Sequence, residues 1–68
     1  MSPAARDKAH RLAAAYSALG YVAIEADDAT GQGGAVVVAS GEVLAWVGDN
    51  GQATLDVSLD GLATTSAA

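Results

Sequence analysis

A tight-turn signal at Asn50-Gly51 constrains the fold more than any other feature of the chain. Both central residues of a two-residue type I′ hairpin loop need positive φ, which Asn and Gly tolerate best. A second turn signal lies earlier, at Ser40-Gly41 or one residue later. The two turns separate three strand-like runs, so residues 34–59 are predicted to form a β-meander.

The Asn50-Gly51 loop also decides which side chains lie on the same face of the sheet. Side chains alternate between the two faces along each strand, and the loop length sets the register between the strands. With a two-residue loop, Trp46 lies opposite Leu55. Either position of the earlier turn gives the same facing. We expect this face to form the core, which then contains Val22, Ile24, Val37, Leu44, Trp46, Leu55, Val57 and Leu59.

The opposite face of the meander is also apolar, although the chain offers no second helix to cover it. This face is predicted to carry Val36, Val38, Val43, Ala45 and Val47. Antiparallel strands that are apolar on both faces are typical of a sheet that packs against another protein. We therefore expect these five residues to form a protein interface. The alternative is a modest exposed patch of Val and Ala that the protein tolerates.

A helix is predicted before the meander, between Ser2 as the N-cap and a stop at Gly20. Pro3 suits the first helical position, where its missing N–H costs nothing. Apolar residues recur at spacings of three and four, which makes the helix amphipathic. This apolar stripe consists of Ala5, Ala9, Leu12, Tyr16 and Leu19.

Between helix and meander, residues 21–26 are rich in β-forming residues and predict a first strand. Residues 27–34 hold three glycines and two acids, which predicts a mobile connecting loop. The predicted fold is therefore α+β, with one N-terminal amphipathic helix packed on a four-stranded antiparallel β-meander (α-β-β-β-β). It is expected to be a single small domain over residues 1–61, followed by a flexible tail over residues 62–68.

The chain is small and acidic, with 68 residues and a formal charge of −5. Without cysteine it can form neither disulfides nor thiolate metal sites. No apolar run reaches the roughly 18 residues of a membrane span. We expect a cytoplasmic protein, or a virion-associated one, because the Ala-, Gly-, Val- and Asp-rich composition is typical of bacterial or phage genes of high GC content.

The sequence carries no catalytic or cofactor motif. His10 is the single histidine, and no Ser or Cys nucleophile lies close to an Asp7-His10 pair in sequence. The acids lack the ligand spacing of an EF-hand. The glycine-rich residues 31–34 precede a strand, whereas a phosphate-binding loop precedes a helix. We expect no enzymatic activity and no catalytic, cofactor or metal site.

These patterns predict a non-enzymatic protein–protein interaction or assembly module. We expect a homo-oligomer, such as a phage or bacterial accessory, structural or inhibitor protein, that uses the outer face or an edge of its sheet. The alternative is a nucleic-acid-binding regulator in which Arg6, Lys8 and Arg11 of an oligomer contact the polyanion. The overall acidity makes nucleic acid the less favoured partner.

Overall fold

The computed structural model describes residues 1–59, which form one helix and four strands. The helix α1 spans Pro3–Ala18. The strands β1 to β4 span Ala23–Asp27, Gly34–Val38, Val43–Val47 and Ala53–Leu55. They form one antiparallel sheet in the order β1-β2-β3-β4. The predicted α+β fold and its four-stranded meander are confirmed, whereas the predicted tail over residues 62–68 lies outside the described residues.

The helix begins where its capping signal predicts. The Ser2 hydroxyl oxygen accepts a hydrogen bond from the Ala5 N–H at 3.1 Å, which satisfies one of the free donors of the first turn. The same hydroxyl donates to the Asp49 carbonyl at 2.6 Å. The N-terminus of α1 is therefore tied to the turn between β3 and β4.

The helix ends in a Schellman motif around Gly20, which has a φ of +103°. The Tyr21 N–H donates to the Tyr16 carbonyl at 3.1 Å, and the Gly20 N–H donates to the Ser17 carbonyl at 3.0 Å. The rings of Tyr16 and Tyr21 meet edge to face, with centroids 5.8 Å apart. This contact supplies the apolar pairing that often accompanies the motif.

The loop between β3 and β4 contains three residues, one more than the sequence predicted. The Gly48 N–H donates to the Gln52 carbonyl at 2.8 Å, so these two residues close the hairpin around Asp49, Asn50 and Gly51. Gly51 has a φ of +85°, and within residues 1–59 only glycines have a positive φ. This arrangement matches the common three-residue loop, a type I turn followed by a left-handed glycine.

The extra loop residue shifts the register of the β3–β4 pair by one residue. Trp46 lies opposite Thr54, and Val47 lies opposite Ala53. The predicted pairing of Trp46 with Leu55 is therefore wrong. A shift of one residue moves every side chain of a strand to the other face. Ala53 of β4 packs against the core, as predicted. The side chains of β3 therefore lie on the faces opposite to those predicted.

The β2–β3 turn has the same three-residue form. The Val38 N–H donates to the Glu42 carbonyl at 2.9 Å, and Gly41 has a φ of +96°. Both meander turns are thus three-residue loops whose last residue is a left-handed glycine. The two-residue alternatives at Ser40-Gly41 and at the following position are both wrong.

A β-bulge at Leu44 shifts the register of the β2–β3 pair by one residue. Val37 pairs with Val43, and Val36 pairs with Ala45, which leaves Leu44 as an extra residue. Leu44 and Ala45 are both fully buried, as is Val36 across from them. The bulge therefore directs two consecutive side chains of β3 into the core.

The core lies between α1 and the sheet face that the sequence placed outward. Of the five residues predicted to form an interface, Val36, Ala45 and Val47 are buried beneath the helix, and Val38 packs against the same core. Only Val43 lies on the outer side, across from Val37. The predicted facing is therefore wrong, and its physical cause is the length of the β3–β4 loop. The buried cluster consists of Ala5, Ala9, Leu12, Ala13, Tyr16, Val36, Leu44, Ala45 and Val47.

The predicted core is corrected accordingly. Four of its large residues, Val22, Ile24, Trp46 and Leu55, are exposed. Leu44 is buried, and Val57 and Leu59 pack against the core as predicted. The helix stripe is confirmed except at Leu19, which is exposed at the end of α1.

Tyr16 connects α1 to the irregular part of the sheet. Its hydroxyl lies 2.5 Å from the Val57 carbonyl and 3.2 Å from the Leu44 carbonyl. The Leu44 carbonyl also accepts from the N–H groups of Asp56 and Val57, at 2.9 and 3.0 Å. Burial raises the pKa of Tyr16, and the nearby Tyr21 and Asp56 raise it further. The hydroxyl is therefore protonated at neutral pH and available as a donor.

We expect Gly51→Ala to lower the free energy of unfolding by about 1–2 kcal/mol, because alanine is strained at positive φ. Asn50→Ala should cost less, because Asn50 has a negative φ and loses only an exposed hydrogen bond to the Gln52 N–H. Urea denaturation of both variants measures the difference. Equal losses would indicate a two-residue loop with both residues at positive φ, and would contradict the observed register.

We expect Tyr16→Phe to destabilise the protein by about 1–3 kcal/mol, because it leaves the Val57 carbonyl without its hydroxyl donor. Tyr21→Phe is the matched control. Tyr21 is partly exposed and has no hydroxyl hydrogen bond among the described residues, so its change should stay within about 0.5 kcal/mol. Thermal and urea unfolding of both variants provide the comparison, and equal stabilities would show that the Tyr16 hydroxyl is dispensable.

Candidate functional site

The sheet face turned away from α1, which we call the outer face, is a continuous apolar surface. Its side chains are linked by cross-strand pairing through all four strands. One row of facing residues is Ile24, Val37 and Val43. The other is Ala26, Ala35, Trp46 and Thr54. Within the described strands, Thr54 is the only polar residue in these rows.

Two large side chains of the outer face remain accessible to solvent. Trp46 is 47% exposed and Ile24 is 52% exposed. Ala35 is only 4% exposed, because it lies between Ala26 and Trp46 on the neighbouring strands. Val22, just before β1, is 71% exposed and extends the apolar area at that edge. The largest aromatic side chain of the chain therefore lies on the surface.

Acidic residues lie in the loops and the segment that border the sheet on three sides. Glu42 lies in the turn at one end, and Asp28 and Asp49 lie in the loops at the other end. Asp56 follows β4 at the third side. The sequence has no Lys or Arg between residues 12 and 59. We call these four residues the acidic rim. The Met1 ammonium lies beside the loop that contains Asp28, where it pairs with Asp27 at 2.7 Å.

The loop that contains Asp28 is closed by hydrogen bonds, and the predicted mobility of residues 27–34 stays a prediction. The Asp28 carboxylate accepts from the Thr30 hydroxyl at 2.6 Å and from the N–H groups of Thr30 and Gly31 at 2.9 and 3.0 Å. The Asp28 N–H donates to the Gly33 carbonyl. The bond from the Thr30 hydroxyl, followed by the backbone bonds, lowers the pKa of Asp28. This carboxylate therefore keeps its charge to a lower pH than an ordinary aspartate does.

The basic residues lie on α1, on the opposite side of the sheet from the outer face. Arg6 and Arg11 are exposed and Lys8 is half-buried. Arg11 forms an ion pair with Asp7, four residues earlier on the helix, at 3.2 Å. Arg6 and Lys8 are separated by about 200° around the helix axis. The three residues predicted as a polyanion contact therefore do not form one patch.

Several charged side chains line a shallow cleft between α1 and β1. Its lining consists of Pro3, Arg6, Asp7, His10 and Glu25. His10 Nδ1 lies 3.0 Å from Glu25 Oε1, whereas Asp7 is paired with Arg11. The Asp7-His10 pair considered from the sequence is thus replaced by two other pairs. Neither a hydroxyl nor a thiol side chain lines this cleft.

Residues 1–59 contain no group of three or more His, Asp or Glu side chains placed to hold a metal ion. They also contain no helix of the length and apolarity that crossing a bilayer requires.

Comparisons with protein-family models, with curated proteins and with solved structures give no match. The outer face and its acidic rim are therefore the features from which a function can be argued. Sequence reasoning anticipated an apolar face without cover, but it assigned the wrong residues to that face and placed Trp46 in the core.

We expect Trp46, the only tryptophan, to be accessible to acrylamide in the folded protein. Its exposed fraction of 47% predicts a quenching constant roughly half that of the unfolded chain. Fluorescence quenching at low protein concentration, in buffer and in denaturant, measures both values. A strongly protected indole in dilute native protein would contradict the observed facing of β3.

Proposed function

We propose that the protein is a non-enzymatic protein–protein interaction module and that the outer face is its binding surface. The observation that supports this proposal most directly is the half-exposed Trp46 within a continuous apolar face. Contiguous exposed apolar surface is typical of binding sites in soluble proteins. Tryptophan is among the residues most enriched at energetic hot spots of interfaces.

The exposed part of Trp46 offers a partner substantial binding energy. A tryptophan side chain can bury up to about 250 Å², so its exposed half corresponds to about 120 Å². At about 25 cal/mol per Å², covering that area contributes roughly 3 kcal/mol before the costs of association. Ile24 and Val22 add further apolar area beside it.

The outer face is also preformed, because its side chains lie on paired strands. The inner face of the same sheet is held by α1 and by the Tyr16 hydrogen bonds. A rigid surface loses little conformational freedom when a partner binds, which favours affinity. The apolar side chains of the outer face are not required by the packing between α1 and the sheet.

The proposed class of function, a protein–protein interaction module, is the one predicted from the sequence. The proposed binding surface consists of different residues. Self-association through Val36, Val38, Ala45 and Val47 loses its basis, because these side chains pack beneath α1. A homo-oligomer that uses the outer face stays a prediction, which the mass of the protein in solution tests. The nucleic-acid alternative has weaker support, because Arg6, Lys8 and Arg11 are spread around the helix.

We expect protein immobilised through its C-terminus to capture a partner from a lysate of its source organism, and Trp46→Ser to abolish that capture. Trp46→Ser should lower the free energy of unfolding by up to about 3 kcal/mol, because the half of the indole that is buried loses its contacts, so circular dichroism must show that the variant is folded. Leu55→Ser is the matched control. Leu55 is 42% exposed but pairs with the inward-facing Ala45, so it lies on the other side of the sheet. Equal capture by wild type and Trp46→Ser would contradict the proposal.

A further inference from the structure

We infer that the outer face binds a basic amphipathic helix of another protein rather than a second copy of this chain. This inference rests on the proposed function and names the partner by its chemistry. Three observations support it, namely the sign of the rim charges, the size of the face and the spacing of the acidic residues around it.

The rim charges favour a basic partner. Glu42, Asp28, Asp49 and Asp56 lie in the loops and the segment that border the sheet, and no Lys or Arg occurs between residues 12 and 59. The Met1 ammonium at one end is paired with Asp27. An interface gains specificity and association rate when a patch of one sign meets a patch of the other. Two copies placed outer face to outer face would instead bring two acidic rims together. The same repulsion opposes an anionic lipid surface or a nucleic acid at this face.

The size of the outer face also disfavours a second copy. Three strands of five residues and one of three give a footprint of at most about 19 by 17 Å, or roughly 300 Å². Stable protein–protein interfaces bury about 800 Å² on each partner. Contact between two such faces alone would therefore be too small for a stable dimer. A partner that extends beyond the face to the rim enlarges the contact and neutralises the acids.

The geometry of the sheet fits a helix as the occupant. The inner face of these strands already packs a helix, α1, along an apolar stripe. A strand length of about 17 Å corresponds to roughly three helical turns. An amphipathic helix of that length would place basic side chains near Glu42 at one end and near Asp28 and Asp49 at the other. Its apolar stripe would cover Trp46 and Ile24 between them.

The probe is a synthetic amphipathic helix of leucine and lysine, roughly five turns long, labelled with a fluorophore. We expect it to bind wild-type protein, as measured by fluorescence anisotropy, and Ile24→Ser to weaken binding about tenfold. Leu55→Ser, the matched control on the other side of the sheet, should bind like wild type. The double variant Glu42→Gln, Asp49→Asn should weaken binding and reduce its dependence on salt, because it removes charge from both ends of the rim.

A peptide of leucine and glutamate with the same pattern should not bind. Equal binding of the lysine peptide to wild type and Ile24→Ser would show non-specific attraction to an acidic protein and would overturn the inference. Equal binding of the glutamate peptide would overturn it as well. So would a wild-type dimer in sedimentation experiments that Ile24→Ser dissociates, because the second copy would then occupy the face.

The capture experiment separates this inference from the proposed function. If a partner is captured through Trp46 but the lysine peptide does not bind, the basic-helix inference fails and the interaction surface stands. If capture does not depend on Trp46 and the peptide does not bind either, both fail.

Discussion

The hydroxyl of Tyr16 meets the sheet where its regular pairing is interrupted, and the rest of the structure depends on that contact. The bulge at Leu44 turns two consecutive side chains inward and points a carbonyl toward the hydroxyl. The same carbonyl accepts from the backbone of the segment after β4. The helix, the bulge and the last strand are therefore joined at one buried point. This matters in a small domain whose helix otherwise contributes mainly alanine to the core.

The inner and outer faces consequently have different roles. The inner face holds the fold together through α1, and no charged or polar residue is among the fully buried residues of the described chain. The outer face contributes little to that core, yet it carries the tryptophan and two further exposed aliphatic residues. An apolar surface that the fold does not need is best understood as a surface for a partner. The acidic rim then limits which partners can approach it.

Much of this architecture could be predicted from local signals. Ser2, Pro3 and Gly20 mark the ends of the helix because each has a conformational preference that only a helix end uses. The facing of β3 could not be predicted in the same way. Gly51 suits the second position of a two-residue loop and the third position of a three-residue loop equally well. The alternation of apolar residues could not decide between them, because β3 is apolar on both sides. The bulge at Leu44 has no local sequence signal, since it arises from the pairing of two strands.

The three-residue loops have a consequence for how this chain specifies its surface. In most antiparallel sheets, the solvent side of a strand carries polar residues. A one-residue shift in register would then bury polar side chains and expose apolar ones, which is unfavourable. Here either side of β3 could serve as the interior. The choice between them is made by loop length and by the left-handed conformations of Gly41 and Gly51. Gly41 and Gly51, which have no side chains, thus determine whether Trp46 is buried or exposed. Deletion or insertion at either turn would change the surface of the protein far more than most substitutions within its strands.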